Sequence, residues 1–198
     1  DDEQVRAEGS NLTPTMLEVA EMARERGRDD LLTHHERAKL EARSFPNGVH
    51  VTEVVIDPET GVLATEYYTV VDDFGNLINP MLAEGQVHGG VAQGIGQAVQ
   101  ERVVYDEDGQ LLTASFMDYA LPRATDLPNI NFISEPVPST ANIMGMKGCG
   151  EAGTVGALAA IANAVQDALW EHGVRQADMP FTPHKVWELL NGDNHTAT

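Results

Sequence analysis

This sequence predicts an α+β fold, with mixed sheets and packed helices. Three observations lead there. Runs rich in β-branched and aromatic residues sit around turn clusters at residues 49–73 and 100–116. Helix-like runs with proline or threonine starts and glycine stops flank them. No regular strand–helix–strand alternation joins the two kinds of element. At 198 residues and 42% hydrophobic composition, the chain can bury a real core. The expected division is an N-terminal helix and linker over 1–44 and a main domain over 45–198.

The first helix is expected within residues 11–28, NLTPTMLEVAEMARERGR, with Thr13 as N-cap, Pro14 at the first helical position and Gly27 as stop. Met16, Leu17, Val19, Ala20 and Ala23 give it an apolar face. Residues 29–45 are polar and read as an extended linker or short helix. VHVTEVVID (49–57), PETG and VLATEYYTVVDD (62–73) form a hairpin pattern, and QERVVYDEDGQLLTASF (100–116) a second one turning at Asp108-Gly109. Between them, GQVHGGVAQGIGQAV (85–99) reads as a glycine-rich turn leading into a helix. Prolines mark 121–140 as irregular around one short strand, NINFIS. Residues 153–172, GTVGALAAIANAVQDALWEH, carry the strongest helix signal. Apolar on most of its circumference, that helix should be buried. Thr182-Pro183 opens a last short helix.

Lys and Arg number 12 against 31 Asp and Glu, for a formal net charge of −19. That surface repels nucleic acid and anionic membranes, so neither is an expected partner. No apolar run approaches the roughly 18 residues a membrane span needs. The single cysteine, Cys149, excludes an internal disulfide framework and fits a reducing cytoplasm. The opening Asp1-Asp2-Glu3 is not an initiation sequence, so the chain reads as part of something larger.

The chemistry concentrates in residues 144–156, MGMKGCGEAGTVG. Gly148 to Gly153 matches G-x-G-x-x-G by letter. A dinucleotide site would also need a strand before it and a parallel strand after the helix. ANIMGMK is a poor strand, and QADMPFTP follows the helix. A pyrophosphate over Glu151 would also be repelled, by roughly 4 kcal/mol at about 4 Å and an effective dielectric of about 20. Glu151 has two readings from the residues themselves. It can be a helix-start carboxylate favoured by the helix dipole. With glycines on both sides allowing close approach, it can also be a presented general base.

The segment 85–96, GQVHGGVAQGIG, lacks the Gly-Lys-Ser/Thr of a nucleotide-binding loop. Its Gly90, Gly94 and Gly96 suit close helix packing. Gln86, read at the turn before the helix, can donate and accept toward a ligand. The seven histidines form no metal-binding spacing. Asp106–Gly109 reads as a plain turn, since it lacks the distant bidentate Glu of a calcium loop.

Three segments together resemble one family: VVDDFGNLINPMLAEGQVHGGVAQGIGQA (70–98), SFMDYALPRATDLPNI (115–130) and MKGCGEAGTVGALAAIANAV (146–165). They resemble the C-terminal part of the molybdenum-binding large subunit of the xanthine dehydrogenase, aldehyde oxidase and aerobic carbon monoxide dehydrogenase family. The resemblance runs in order from about Phe45 to about Leu190. It implies a molybdenum hydroxylase that oxidises an aldehyde, N-heteroaromatic or similar substrate, with water as the oxygen source. It implies Glu151 as the general base beside the cofactor. Gln86, Met146, Lys147, Gly148 and Cys149 fall where the family lines its pterin. Cys149 stands where Val is more usual. The implied cofactor is molybdenum-molybdopterin in its cytosine dinucleotide form. FAD and [2Fe-2S] clusters are implied on partner subunits or domains. The family's G-G-x-F-G loop lies upstream of this region, so the upstream half of the molybdenum subunit is also an implied partner. A non-catalytic assembly module that kept the fold is the alternative, with a nicotinamide-dependent oxidoreductase more remote.

Overall fold

The computed structural model describes residues 4–6, 8–37, 39 and 42–192. The chain divides into two compact units, residues 1–40 and 41–198.

In the first unit, helix α1 spans Met16–Glu25. Its cap is Thr15, not the expected Thr13. Thr15 N donates to Glu18 Oε2 at 2.7 Å, and Glu18 N donates to Thr15 Oγ1 at 3.3 Å. This reciprocal capping box needs a glutamate three residues on, and Thr13 has Met16 there. Pro14 therefore lies outside the helix, where its carbonyl accepts from Val5 N at 2.8 Å. A 3-10 turn, Asp29–Leu31, follows. Of the expected apolar face only Ala23 is buried, whereas Met16 and Leu17 are exposed.

The second unit is built on a three-stranded sheet, β1 (Asn47–Ile56), β2 (Leu63–Asp73) and β3 (Ile130–Ser134), in that order. β1 and β2 form the expected hairpin, antiparallel with a bulge at Glu53/Val54. β3, the expected strand within 121–140, lies parallel to β2 on the other side. Alternation along β2 sends Tyr68, Val70 and Asp72 into the buried face, and Phe74, just past its end, is buried too.

Helices α2 (Pro80–Val99) and α3 (Ala152–Trp170) pack together, with α3 against β1. α2 begins before the glycines rather than after them. Asn79 caps it, accepting from Leu82 N at 3.1 Å, and Pro80 supplies a first residue with no N–H to satisfy. Val87, Val91 and Ile95 of α2 meet Ala157, Ile161, Val165 and Leu169 of α3 in one core. Burying each of these larger aliphatic side chains is worth about 1.5–3 kcal/mol. α3 is not buried around its circumference as expected. Only the stripe from Gly153 to Leu169 is buried, while Val155 is 66% and Trp170 52% exposed. Its described packing partners, α2 and β1, cover one side.

The second expected hairpin does not form a ladder. Its turn is where the sequence puts it, with Gly109 at φ +81°, but the pairing reduces to a single bridge, Tyr105–Leu111. Asp106 Oδ1 accepts from both Asp108 N at 3.0 Å and Gln110 N at 2.8 Å, so a side chain closes the turn. Helix α4 (Pro183–Asn191) starts after Thr182, as expected. Among the described residues no helix is long and apolar enough to cross a membrane.

Candidate functional site

The loop 144–151 has two halves, and the fold treats them differently. The first half is tied to the end of β2. Asn76 Nδ2 donates to Met144 O at 2.9 Å, and Asn76 N donates to Gly145 O at 3.0 Å. Asn142 grips Met146 on both sides, accepting from its N and donating to its O. Lys147 N donates to Phe74 O at 2.8 Å, and Lys147 Nζ pairs with Asp73 Oδ2. Gly145 sits at φ +66° with the Asn76 amide against it, a conformation and a space that other residues do not fit.

Asp73 is the hub of this anchor. Its Oδ1 accepts from Gly75 N at 2.8 Å and Val137 N at 2.9 Å. Burial pushes its carboxyl up. The Lys147 ammonium and the two main-chain donors outweigh burial and hold it down at about 2. The sequence reading singled out Met146 and Lys147 but missed Asn76, Asn142 and Asp73. The adjacent acids of VVDDFG were the available signal.

In the second half, residues 148–151, the main-chain N–H groups are left free. Among the described residues no protein acceptor lies within hydrogen-bonding range of the N–H groups of Gly148, Cys149, Gly150 or Glu151. A Cβ built on Gly148 or Gly150 meets nothing within 4 Å, and neither residue has a left-handed φ. The half-buried Cys149 side chain packs against the core. Glu151 occupies the N-cap of α3, yet its carboxylate makes no capping bond. It is exposed at the positive end of a 19-residue helix.

Gln86 reaches this half from α2. It lies in the second turn of the helix, not in a turn ahead of it, and its Nε2 donates to Gly150 O at 3.3 Å. The two helices bring it there by crossing closely. A Cβ on Gly90 would sit 2.9 Å from Gly153 Cα, and one on Gly153 would sit 2.5 Å from Val87 O. Thr154 Oγ1 donates across the crossing to Gly90 O at 3.1 Å. His88, one turn from Glu84 at 3.8 Å, has its Nε2 enclosed without a hydrogen-bond partner. The fold thus gathers Gln86, Gly148, Cys149 and Glu151 at one place, with Met146 and Lys147 as its supports. Among the described residues no three His, Cys, Asp or Glu side chains are grouped to hold a metal ion.

Comparison with known proteins gives the chain its family. The family model described as the molybdopterin cofactor-binding domain matches residues 1–128. The 6-hydroxypseudooxynicotine dehydrogenase complex subunit gamma of Paenarthrobacter nicotinovorans is 40% identical over 77% of this chain and 19% of its own length. The structure of a Cu,Mo-CO dehydrogenase superposes with a TM-score of 0.80 at 32% identity, over 96% of this chain and 24% of that one. Quinoline 2-oxidoreductase from Pseudomonas putida 86 superposes at 0.68 with 40% identity, over 70% of this chain and 18% of that one. The chain spans about a fifth of the curated relative's length. It belongs to the molybdopterin cofactor-binding domain family, as a stretch of the large subunit of the molybdenum hydroxylases.

Proposed function

We propose that this chain forms one wall of the active site of a molybdenum hydroxylase, with Glu151 as its general base. The observation that carries the reading is the free half of the loop. Four consecutive main-chain N–H groups, two of them on glycines that nothing in the chain's own packing requires, lead into an unpaired carboxylate. A flat heterocycle rich in acceptor atoms fits against such a strip of donors, where a Cβ would stand in the way. The residues present therefore suit molybdopterin.

When bound, the cofactor supplies the two-electron acceptor and the point at which water-derived oxygen reaches the substrate. The chain's own residues do the rest. Gly148, Cys149 and Gly150 would hold the pterin through their N–H groups, and Met146 and Lys147 hold that strip to β2. Gln86 fixes the Gly150 carbonyl and faces the same ligand. Glu151 would serve as the general base, holding on its carboxylate the proton given up when the water-derived oxygen is delivered to an electron-poor carbon. Nitrogen heteroaromatics lead the substrate classes, ahead of aldehydes, because two of the similar proteins are named for such compounds. The cytosine dinucleotide form of the cofactor, the upstream half of the molybdenum subunit, iron–sulfur and flavin partners, and a cytoplasmic setting complete the proposal.

The test is Glu151→Gln in the assembled enzyme. Folding and molybdenum content should stay near normal while turnover falls by at least about 10²–10⁴-fold, the range of a lost acid–base group. Turnover at the wild-type rate would remove Glu151 from the chemistry. Gln86→Ala should slow turnover or loosen the cofactor. If molybdenum content and rate both hold, Gln86 is only a brace for the loop.

A further inference from the structure

Behind Glu151 lies a second carboxyl that the proposed chemistry does not use. Asp72 on β2 is 2% exposed, and its Oδ2 has no hydrogen-bond partner. Leaving such an oxygen unpaired in the interior is costly unless it holds a proton or a water. Two glycines make room for this arrangement. A Cβ on Gly48 would run into Asp72 Oδ1, and a Cβ on Gly156 of α3 would run into the His50 ring. His50 on β1 stands between them. Its Nε2 is 3.9 Å from Asp72 Oδ1, and its Nδ1 is 2.8 Å from the Tyr68 hydroxyl.

The tautomer that accepts the Tyr68 proton at Nδ1 carries its own proton on Nε2, facing Asp72. A cavity of about 270 Å³ joins this cluster to the start of α3 and is lined by His50, Asp72, Glu151 and Val155. That volume holds several waters at about 30 Å³ each. Ser134, opposite Asp72 in the β2–β3 register, also has a buried, unpartnered hydroxyl.

We propose that Asp72 is a proton-holding positioning residue for Glu151. Through water in the cavity that both carboxyls line, it receives the proton Glu151 takes up and returns Glu151 to its carboxylate form. One O–H bond breaks at Glu151, one forms at Asp72, and no electron moves. Asp72 then releases the proton to water at the cavity mouth. This inference rests on the reading of Glu151 as the base. Among the described residues, the titratable groups around Asp72 are His50 from β1, Tyr68 from β2 and Glu151 at the N-cap of α3, and β3 contributes the Ser134 hydroxyl. Burial raises the Asp72 carboxyl to about 6, so it changes state near neutrality. Burial also lowers His50, which favours the neutral imidazole.

The experiment compares wild type, Asp72→Asn, His50→Gln and Glu151→Gln in the assembled enzyme. Each is measured for molybdenum content, for kcat and KM against pH, and for the protonated-carboxyl infrared band against pH. Wild type should show a carboxyl band that titrates near pH 6. Asp72→Asn should lose that band and drop kcat by roughly 10²-fold with KM and molybdenum unchanged, the low end for a positioned proton acceptor. His50→Gln, which keeps the carboxyl, should move the band's midpoint and the pH profile together. Glu151→Gln should also move the midpoint, because the two groups share one cavity. A wild-type pH profile in Asp72→Asn, or a band indifferent to Glu151→Gln, would overturn the inference. Should Glu151→Gln keep its turnover while the band behaves as expected, the base assignment fails and the coupling of the two carboxyls stands.

Discussion

Glycine does opposite work in two neighbouring regions of this molecule. Where α2 crosses α3, Gly90 and Gly153 face each other so closely that a methyl group on either would strike backbone. A few residues earlier, a methyl group on Gly148 or Gly150 would meet no side chain or backbone within 4 Å. The first pair is explained by the chain's own packing. The second is not, and on the proposed reading its smallness makes room for the pterin. The boundary falls at Lys147, the last described residue of the loop whose main-chain N–H is bonded within the chain. Identical letters in MGMKGCGEAGTVG therefore sit in two different settings, one set by helix packing and one, on the proposed reading, by a ligand.

The largest effect should come from cutting the anchor at that boundary. Lys147 and Asp73 are 10% and 13% exposed at their side chains, so Lys147→Met leaves a mostly buried carboxylate without its cation. That should cost about 3 kcal/mol at neutral pH, the low end for breaking a buried pair. The sign with pH follows from the depressed carboxyl. Asp73 titrates at about 2 in the folded chain, below the roughly 3.9 of an unfolded Asp. Its contribution is present in full above about pH 4 and is lost as the pH falls through about 2. The difference between wild type and Lys147→Met in denaturant unfolding should therefore shrink on acidification. A difference that is constant from neutral to acid pH would mean that Lys147 acts by packing alone.

Next in size is Gly153→Ala. Its Cβ would lie 2.5 Å from Val87 O, which belongs to a helix backbone and cannot swing aside. Overpacking of this kind costs about 1–3 kcal/mol. A lowered Tm is expected, with Gln86 displaced from Gly150 as the helices part. An unchanged Tm would show that the crossing is looser than its geometry implies.

What the sequence made legible was what local pattern controls. Alternation fixed the β1–β2 hairpin, and proline and threonine starts fixed α4. Local pattern also misled where side chains intervene. Asn79 and Pro80 started α2 ahead of its glycines, and Asp106 closed a turn that reads like a hairpin but forms no ladder. The parallel seat of β3 beside β2, and the 74-residue span between Asp73 and Lys147, depend on contacts far apart in the chain that no window of sequence contains. At the site, the spacing around Glu151 was visible. The supports from Asn76, Asn142 and Asp73 were not, because a loop's anchors are chosen by the fold and not by neighbours in sequence.

The smallest effect on stability, and the sharpest test of the comparison, is Gly150→Ala. With nothing within 4 Å of the new Cβ and no left-handed φ to strain, unfolding should be unchanged or slightly stabilised, by up to about 1 kcal/mol from the stiffer unfolded chain. The same methyl would project from the strip of free N–H groups into the space assigned to the pterin. Molybdenum content of the assembled enzyme should fall, although the chain folds as well as before. Gly153→Ala should do the reverse, lowering the Tm first and losing molybdenum only as the fold loosens. If Gly150→Ala keeps its full molybdenum content, the free half of the loop is not where the cofactor lies. Its glycines would then need another partner. If it loses molybdenum at constant Tm, folding and ligand binding are separable within three residues of one glycine-rich loop.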